Sequence, residues 1–139
     1  MSGTEPQALV AAASCQTPAQ LLERIARALA QYRYRFASET QLHAGIAQAL
    51  EAQGFAYEHE LRASPTCRYD FWLPEPRLVI EAKIDGSLPA ALRQVDRYVQ
   101  IEDCQGVIIA ATKQWARGAD AYELRGKPVR VVRLRPQAF

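Results

Sequence analysis

The hydrophobic positions between residues 17 and 34 recur every three or four residues, which is the spacing of an amphipathic helix. These positions are Leu21, Leu22, Ile25, Leu29 and Tyr32. Thr17 is followed directly by Pro18 and, three positions on, by Gln20, which predicts a capping box with proline in the first turn. We therefore expect an amphipathic helix here, with arginines on its exposed side.

A second helix is predicted to begin at Ser38, because Gln41 completes another capping box. Its apolar stripe consists of Leu42, Ile46 and Leu50. Gly54 stands where the glycine that ends a helix is expected. We divide the chain accordingly into an N-terminal extension with an amphipathic helix, residues 1–37, and a main domain, residues 38–139.

After residue 54 the apolar pattern changes to the period of β-strands. Strands are predicted over residues 55–62, 67–73, 77–83, 106–111 and 129–134. A long helix over 88–101 and a short helix around 118–124 separate the later strands. The run at 106–111 is continuously apolar, as expected of a strand buried on both faces. This order predicts an α/β fold whose early strands are antiparallel and in which the long helix permits a parallel return.

Composition adds few constraints. The chain has 139 residues, of which 49% are apolar and 23% charged, and these values are typical of a single domain. The sequence contains neither an apolar run of membrane-spanning length nor a signal-peptide pattern. Its three cysteines, Cys15, Cys67 and Cys104, are widely spaced and do not suggest disulfides. We therefore expect a cytoplasmic protein that does not contact a membrane.

The net charge of +2 is small, but the charges are unevenly distributed. Residues 113–139 contain seven Lys and Arg residues and two Asp and Glu residues. A basic end of this kind suits a polyanion such as DNA, and Lys113 and Arg117 are candidate contacts to its backbone. A solvated basic surface is the alternative.

Three charged residues interrupt two adjacent apolar runs, residues 69–73 and 78–83. Asp70 lies in the strand over 67–73, and Glu81 and Lys83 lie in the strand over 77–83. Alternation places Glu81 and Lys83 on one face, and pairing of the strands would bring Asp70 close to them. Two carboxylates and a backbone carbonyl suffice to bind Mg²⁺, and the lysine could orient a water or stabilise a phosphate. The alternative is a cross-strand charge pair on a solvated face.

This pattern resembles that of the PD-(D/E)XK nuclease superfamily, in which an acid on one strand precedes acid-x-Lys on the next. Here ten residues separate Asp70 from Glu81-Ala82-Lys83. The predicted order over residues 38–111 is similar to the αβββαβ core of that restriction-endonuclease-like fold, to which this chain adds an N-terminal helix and a C-terminal strand. The proline that precedes the first acid in the family is Tyr69 here.

The resemblance implies a Mg²⁺- or Mn²⁺-dependent deoxyribonuclease, an endonuclease or an exonuclease, that hydrolyses phosphodiester bonds by in-line attack of water. Asp70, Glu81 and the Ala82 carbonyl would be the metal ligands. Lys83 would position the attacking water. Glu39, at the start of the second helix, would hold metal-bound water or a second ion.

The helix over 88–101 carries a second element of the resemblance. Gln94 and Tyr98 match the Gln-x-x-x-Tyr sequence of recombination-type exonucleases and fall one turn apart on one helix face. Gln94 would orient the scissile phosphate or Lys83, and Tyr98 would brace the helix or contact the DNA backbone.

Four further residues are candidate neighbours of this site. Strand alternation places Arg68 and Trp72 on the same face as Asp70, where Arg68 could contact phosphate and Trp72 could stack on a base. His43 lies one turn after Glu39 and could face the same pocket, although a structural or surface role is favoured. His59 is expected to point outward from its strand.

Two other hypotheses stay open at this point. The chain could be a non-catalytic DNA-binding or docking subunit of a repair, recombination or phage complex. It could also lie outside nucleic-acid chemistry, with acids that bind calcium or nothing. Because cleavage of both DNA strands usually needs two copies of a minimal nuclease domain, the amphipathic helix at 21–32 is a candidate homodimer interface.

Overall fold

The structure, a computed structural model, describes residues 16–117 and 121–137. The first helix, α1, spans Pro18–Ala30. Its capping box is confirmed, because the Gln20 N–H donates to Thr17 Oγ1 at 3.1 Å and the Thr17 N–H donates to Gln20 Oε1 at 2.9 Å. The helix ends four residues before the predicted end at 34, since Arg33–Tyr34 form strand β1 instead.

Helix α2 spans Glu39–Ala52 and begins at the predicted cap, where Ser38 Oγ accepts the Gln41 N–H at 3.2 Å. Gly54 has a φ of +79° and ends the helix. The Phe55 N–H bonds back to the Leu50 carbonyl at 2.9 Å, as in a Schellman motif. Phe55 therefore belongs to the end of the helix, and the strand predicted over 55–62 begins three residues later.

The remaining strands and helices follow as β2 (Glu58–Ser64), β3 (Cys67–Leu73), β4 (Leu78–Lys83), α3 (Leu88–Val99), β5 (Gly106–Ala111), a 3₁₀ turn (Gln114–Ala116), β6 (Ala121–Leu124), β7 (Lys127–Arg133) and β8 (Arg135–Pro136). Six strands form one sheet in the order β2-β3-β4-β5-β7-β6. Strands β2 to β4 are antiparallel, whereas β4, β5 and β7 run parallel. The α/β class and the parallel return after the long helix are thus confirmed.

The prediction of a short helix around 118–124 was wrong for the part of it that is described, because Ala121–Leu124 form strand β6. Residues 118–120 lie outside the described residues. Arg125 and Gly126 have φ values of +52° and +77° and connect β6 to β7 by a two-residue turn. Two left-handed residues in succession match the twist of a hairpin, which fixes the antiparallel pairing.

The sheet is covered on both faces. Helices α1 and α2 cover one face, where Leu22, Ile25 and Leu29 of α1 are buried. Helix α3 covers the other face through Val95, Tyr98 and Val99. The apolar stripe of α1 is thus buried against the protein's own sheet, so these residues are not free to form the homodimer interface that the sequence suggested.

Cys67 and Cys104 are buried free thiols, and Cys15 lies outside the described residues. The described part of the chain includes no helix that is both long and apolar enough to traverse a lipid bilayer.

Candidate active site

Strands β3 and β4 separate at the position of the predicted acids. Their pairing runs from Leu73 opposite Leu78 to Phe71 opposite Ile80, and one further step would place Asp70 opposite Glu81. Instead, Asp70 Oδ2 accepts the Ala82 N–H at 2.8 Å, so a carboxylate replaces the next bond of the ladder. Because the N–H and the C=O of a strand residue point to the same edge, the Ala82 carbonyl also faces this gap.

The separation coincides with an irregularity in β2 and β3. Glu60, which lies opposite Asp70 in the register, has a φ of +56°, far from extended values. Tyr69 and Trp72 stack with ring centroids 5.5 Å apart, although regular alternation would place them on opposite faces. The alternation of β3 is therefore interrupted at Asp70.

This interruption overturns the expectation that Asp70 and Trp72 share a face. The Asp70 carboxylate is directed at β4, whereas Trp72 is 9% exposed and packs on the α3 side of the sheet with Tyr69. A ring buried in this way is not presented to a base. Trp72 therefore belongs to the hydrophobic core beneath α3 and does not serve as a stacking surface for a base.

Four side chains from β4 and α3 form a closed hydrogen-bonded ring. The Tyr98 hydroxyl donates to Glu81 Oε1 at 3.0 Å, and Lys83 Nζ lies 3.3 Å from Glu81 Oε2. Gln94 donates to the Tyr98 hydroxyl at 2.8 Å and accepts from Lys83 Nζ. Gln94 and Tyr98 thus lie on one face of α3, as predicted; Tyr98 bonds Glu81 directly, and Gln94 bonds both Tyr98 and Lys83.

Both carboxylates are held where ionisation is unfavourable. Glu81 is 3% exposed, and burial together with the charge of Asp70 raises the pKa of Glu81 to about 7, despite the opposing effects of Lys83 and Tyr98. Burial likewise raises the pKa of Asp70, although the Ala82 N–H and the charge of His43 act in the other direction. A bound cation would favour the ionised form of both groups.

The gap between β3 and β4 is lined by oxygen donors. Asp70 and Glu81 offer carboxylate oxygens, and the Ala82 carbonyl faces the same gap. Mg²⁺ and Mn²⁺ prefer oxygen ligands of this kind. Glu39, in the first turn of α2, is near enough for its charge to raise the pKa of Asp70.

Sequence reasoning underestimated the two histidines. His43 is buried, and its Nε2 lies 3.6 Å from Asp70 Oδ2. The His59 ring approaches His43 rather than pointing away from it, with His43 Nδ1 and His59 Nε2 2.8 Å apart. The position of His43 one turn after Glu39 was a signal for it, and alternation was a signal for His59, because His59 shares a face with Tyr57 and both rings contact Phe71.

The predicted basic contacts are separated in the structure. Arg68 is exposed and lies 3.9 Å from Glu60, and Lys113 lies 3.6 Å from Asp85. Arg117 instead lines a groove of about 650 Å³ at the carboxyl end of β5 and β7. Six arginines line this groove, namely Arg27, Arg33, Arg117, Arg130, Arg133 and Arg135. We call it the arginine groove.

The arginine groove is largely uncompensated and lies on the site's edge of the sheet. Among the described residues, Glu23 pairs with Arg27 and Arg130, whereas the other four arginines have no carboxylate within ion-pair distance. The register aligns Lys83 with Ala111 and Ala111 with Arg133. Since neighbouring strands are about 4.8 Å apart, the backbone at Arg133 lies roughly 10 Å from that at Lys83. The α1 residues that line the groove cover the face of the sheet opposite α3.

No family model, curated protein or solved structure matches the chain.

Proposed function

We propose that the protein is a divalent-metal-dependent nuclease with a restriction-endonuclease-like core, which hydrolyses phosphodiester bonds of DNA. One observation carries this proposal. Glu81 is buried next to Lys83, at the point where β3 and β4 diverge and the Asp70 carboxylate accepts the Ala82 N–H. A solvated charge pair, the alternative from the sequence, does not account for a carboxylate that is almost fully buried.

The order of secondary structure supports the same proposal. Between Glu39 and Ala111 the chain runs helix, three antiparallel strands, helix, strand, which is the predicted αβββαβ order. Helix α3 lies against the face that carries Glu81 and Lys83, so its Gln94 and Tyr98 reach both side chains. Side-chain hydrogen bonds thereby join helix α3 to the acid-x-Lys strand β4.

Each residue has a distinct part in the proposed reaction. Asp70, Glu81 and the Ala82 carbonyl would hold Mg²⁺ or Mn²⁺, which when bound supplies Lewis-acid stabilisation of the phosphate charge and an acidified water. Lys83 orients the attacking water and donates to the phosphate oxygen on which negative charge accumulates. Gln94 fixes the Lys83 ammonium, and Tyr98 fixes the rotamer of Glu81. Glu39, whose charge acts on Asp70, would hold a metal-bound water or a second ion.

The test of this proposal is a cleavage assay on linear, circular, single-stranded and branched DNA. We expect at least one substrate to be cut in Mg²⁺ or Mn²⁺ and none to be cut in chelator, because the carboxylates alone supply no Lewis acid. Ca²⁺ is the matched control, since it takes oxygen ligands but is bound with longer and looser geometry. Undiminished cleavage in chelator would rule out the proposed chemistry.

The arginine groove is proposed to hold the DNA backbone that extends from the scissile phosphate. Arg117 and Arg133 lie at the same end of the sheet as Lys83, and guanidinium groups bind phosphate oxygens in a bidentate fashion. We expect the pair of substitutions Arg117→Ala and Arg133→Ala to weaken DNA binding about tenfold or more at 0.1 M salt and to reduce the dependence of affinity on salt. Fluorescence anisotropy with labelled DNA over a range of salt concentrations measures both quantities.

A matched control is available in Arg97, an exposed arginine near the C-terminus of α3, at the opposite edge of the sheet. Arg97→Ala removes one positive charge without touching the arginine groove, so its effect on binding should be small. If Arg97→Ala weakened binding as much per charge as the groove substitutions, net charge rather than the groove would explain the affinity.

The arginine groove also supports a second candidate function, that of a DNA-binding subunit without catalysis. A row of uncompensated arginines would serve such a protein equally well. The cleavage assay separates the two functions, because a pure binding subunit retains the groove's affinity in the absence of any cleavage.

A further inference from the structure

Three side chains next to Asp70 form a cluster that the proposed nuclease reaction does not use. His43 comes from α2, and His59 and Glu60 come from β2. One ligand atom from each lies within 4.8 Å of the other two. The cluster contains two imidazoles and one carboxylate, which is the ligand set of many zinc sites that keep an open coordination position.

The two ring nitrogens of His43 face different partners. Nδ1 lies 2.8 Å from His59 Nε2, whereas Nε2 lies 3.6 Å from Asp70 Oδ2 and is buried without a hydrogen-bond partner. A histidine that binds a metal through one nitrogen usually donates its other N–H to a carboxylate. An ion between His43 and His59 would place the His43 proton on Nε2, directed at Asp70, and would account for this unpartnered atom.

The cluster is also held in place by its surroundings. The His59 ring stacks on Phe71 with centroids 4.9 Å apart, and the His43 ring lies 5.4 Å from the same phenyl group. Glu60 adopts a φ of +56°, and its Oε1 lies 3.7 Å from His59 Nε2. Residues held in the left-handed region cluster at ligand sites. The competing contact from Arg68, at 3.9 Å to Glu60 Oε2, is exposed and therefore weak.

We propose that His43, His59 and Glu60 bind one transition-metal ion of the Zn²⁺ class, in a site separate from the Asp70–Glu81 pair. Imidazole nitrogens favour Zn²⁺, Co²⁺ and Ni²⁺, whereas Mg²⁺ favours an all-oxygen shell. Asp70 lies between the two sites and would receive the His43 N–H. The inference does not depend on the proposed nuclease function, because neither Glu81 nor Lys83 contributes a ligand.

The test is a titration of the metal-free protein with Co²⁺, followed by visible absorption in the presence of excess Mg²⁺. We expect intense ligand-field bands that saturate at one ion per chain and that disappear when Zn²⁺ is added. Asp70→Asn should weaken binding by about tenfold, as for an outer-shell carboxylate, and His59→Ala by more than about 100-fold, since it removes a ligand. His59 is 45% exposed on its side chain, so this change leaves the core intact.

Two control variants locate the ion. Glu58 is an exposed carboxylate on the same strand as Glu60, so Glu58→Gln should leave Co²⁺ binding unchanged, whereas Glu60→Gln should weaken it. Glu81→Gln should also leave the bands intact, and that result would hold even if no DNA were cleaved. Absence of saturable Co²⁺ or Zn²⁺ binding would overturn the inference and leave two imidazoles that share a proton. Bands that survive His59→Ala, or that vanish in Glu81→Gln, would equally overturn it.

Discussion

Replacement of Lys83 by alanine is expected to lower the rate constant of DNA cleavage by about 10²–10⁴-fold, within the range for loss of an electrostatic or proton-transferring group. Lys83 is the cation closest to Glu81, and its side chain is 24% exposed, so its ammonium acts in a site from which water is partly excluded. Loss of Lys83 also frees Gln94 from its hydrogen bond. Single-turnover cleavage at saturating Mg²⁺ measures the effect on the chemical step.

The matched control for this change is Lys127→Ala. Lys127 donates to the Ile101 carbonyl at 3.0 Å near the start of β7, at the edge of the sheet opposite Lys83. This variant loses the same charge, and its cleavage rate should stay within about threefold of the wild type, as expected for a change remote from the reacting atoms. Cleavage by Lys83→Ala at a rate near that of Lys127→Ala, with both variants folded by circular dichroism, would contradict the role assigned to Lys83.

The elements that were predicted correctly are those whose pattern is local. Strands β3 and β5 lie at the predicted residues, because their apolar runs are bounded by residues that end a strand. The capping residues Thr17 and Ser38 gave both early helices their starting points. Strand β6 was missed because a four-residue segment carries little periodicity and its identity depends on the turn at Arg125 and Gly126. That turn is stabilised by the pairing it creates.

The same distinction applies to the candidate site. Glu81 and Lys83 lie side by side because β4 is regular and obeys a period of two. The direction of Asp70 could not be derived in this way, because the alternation of β3 breaks where β3 and β4 diverge and where Glu60 adopts a positive φ. The divergence of β3 and β4 is a property of the whole sheet, so the local pattern of apolar and polar residues does not predict it.

Glu81→Gln is expected to raise the stability of the metal-free protein at pH 8. The folded protein holds the pKa of Glu81 near 7, above the ordinary value of 4.5, so between these pH values the folded state binds more protons than the unfolded state. Stability therefore falls as the pH rises from about 4.5 to about 7 and stays low above it. Because glutamine carries no charge, the variant avoids this loss, which is about 3 kcal/mol for a shift of this size. It also loses the ion pair with Lys83, so we expect a net gain on the order of 1–2 kcal/mol at pH 8.

Thermal unfolding in chelator between pH 4 and pH 8 measures this difference. The melting temperatures of the wild type and of Glu81→Gln should converge near pH 4, where Glu81 is largely protonated in both the folded and the unfolded state. They should diverge by roughly 3–8 °C at pH 8. Mn²⁺ should reverse the order at pH 8, because the wild type gains about 2.7 kcal/mol at a Mn²⁺ concentration of 100 Kd and the variant has lost a ligand. The change of sign on adding metal distinguishes a cation site from a carboxylate that is merely strained.

Tyr98→Phe should act in the opposite direction, and this contrast identifies the cause. The Tyr98 hydroxyl bonds to Glu81 Oε1 and helps to lower the pKa of that carboxyl, so its removal should raise the pKa further and lower stability at pH 8. Tyr122→Phe, a half-buried tyrosine on β6, provides the matched loss of a hydroxyl away from Glu81.

Parallel pH profiles for the wild type and Glu81→Gln would mean that Glu81 carries no unfavourable buried charge. The carboxylates would then have no need of a cation, and the physical basis for placing Mg²⁺ between the diverging strands would be lost.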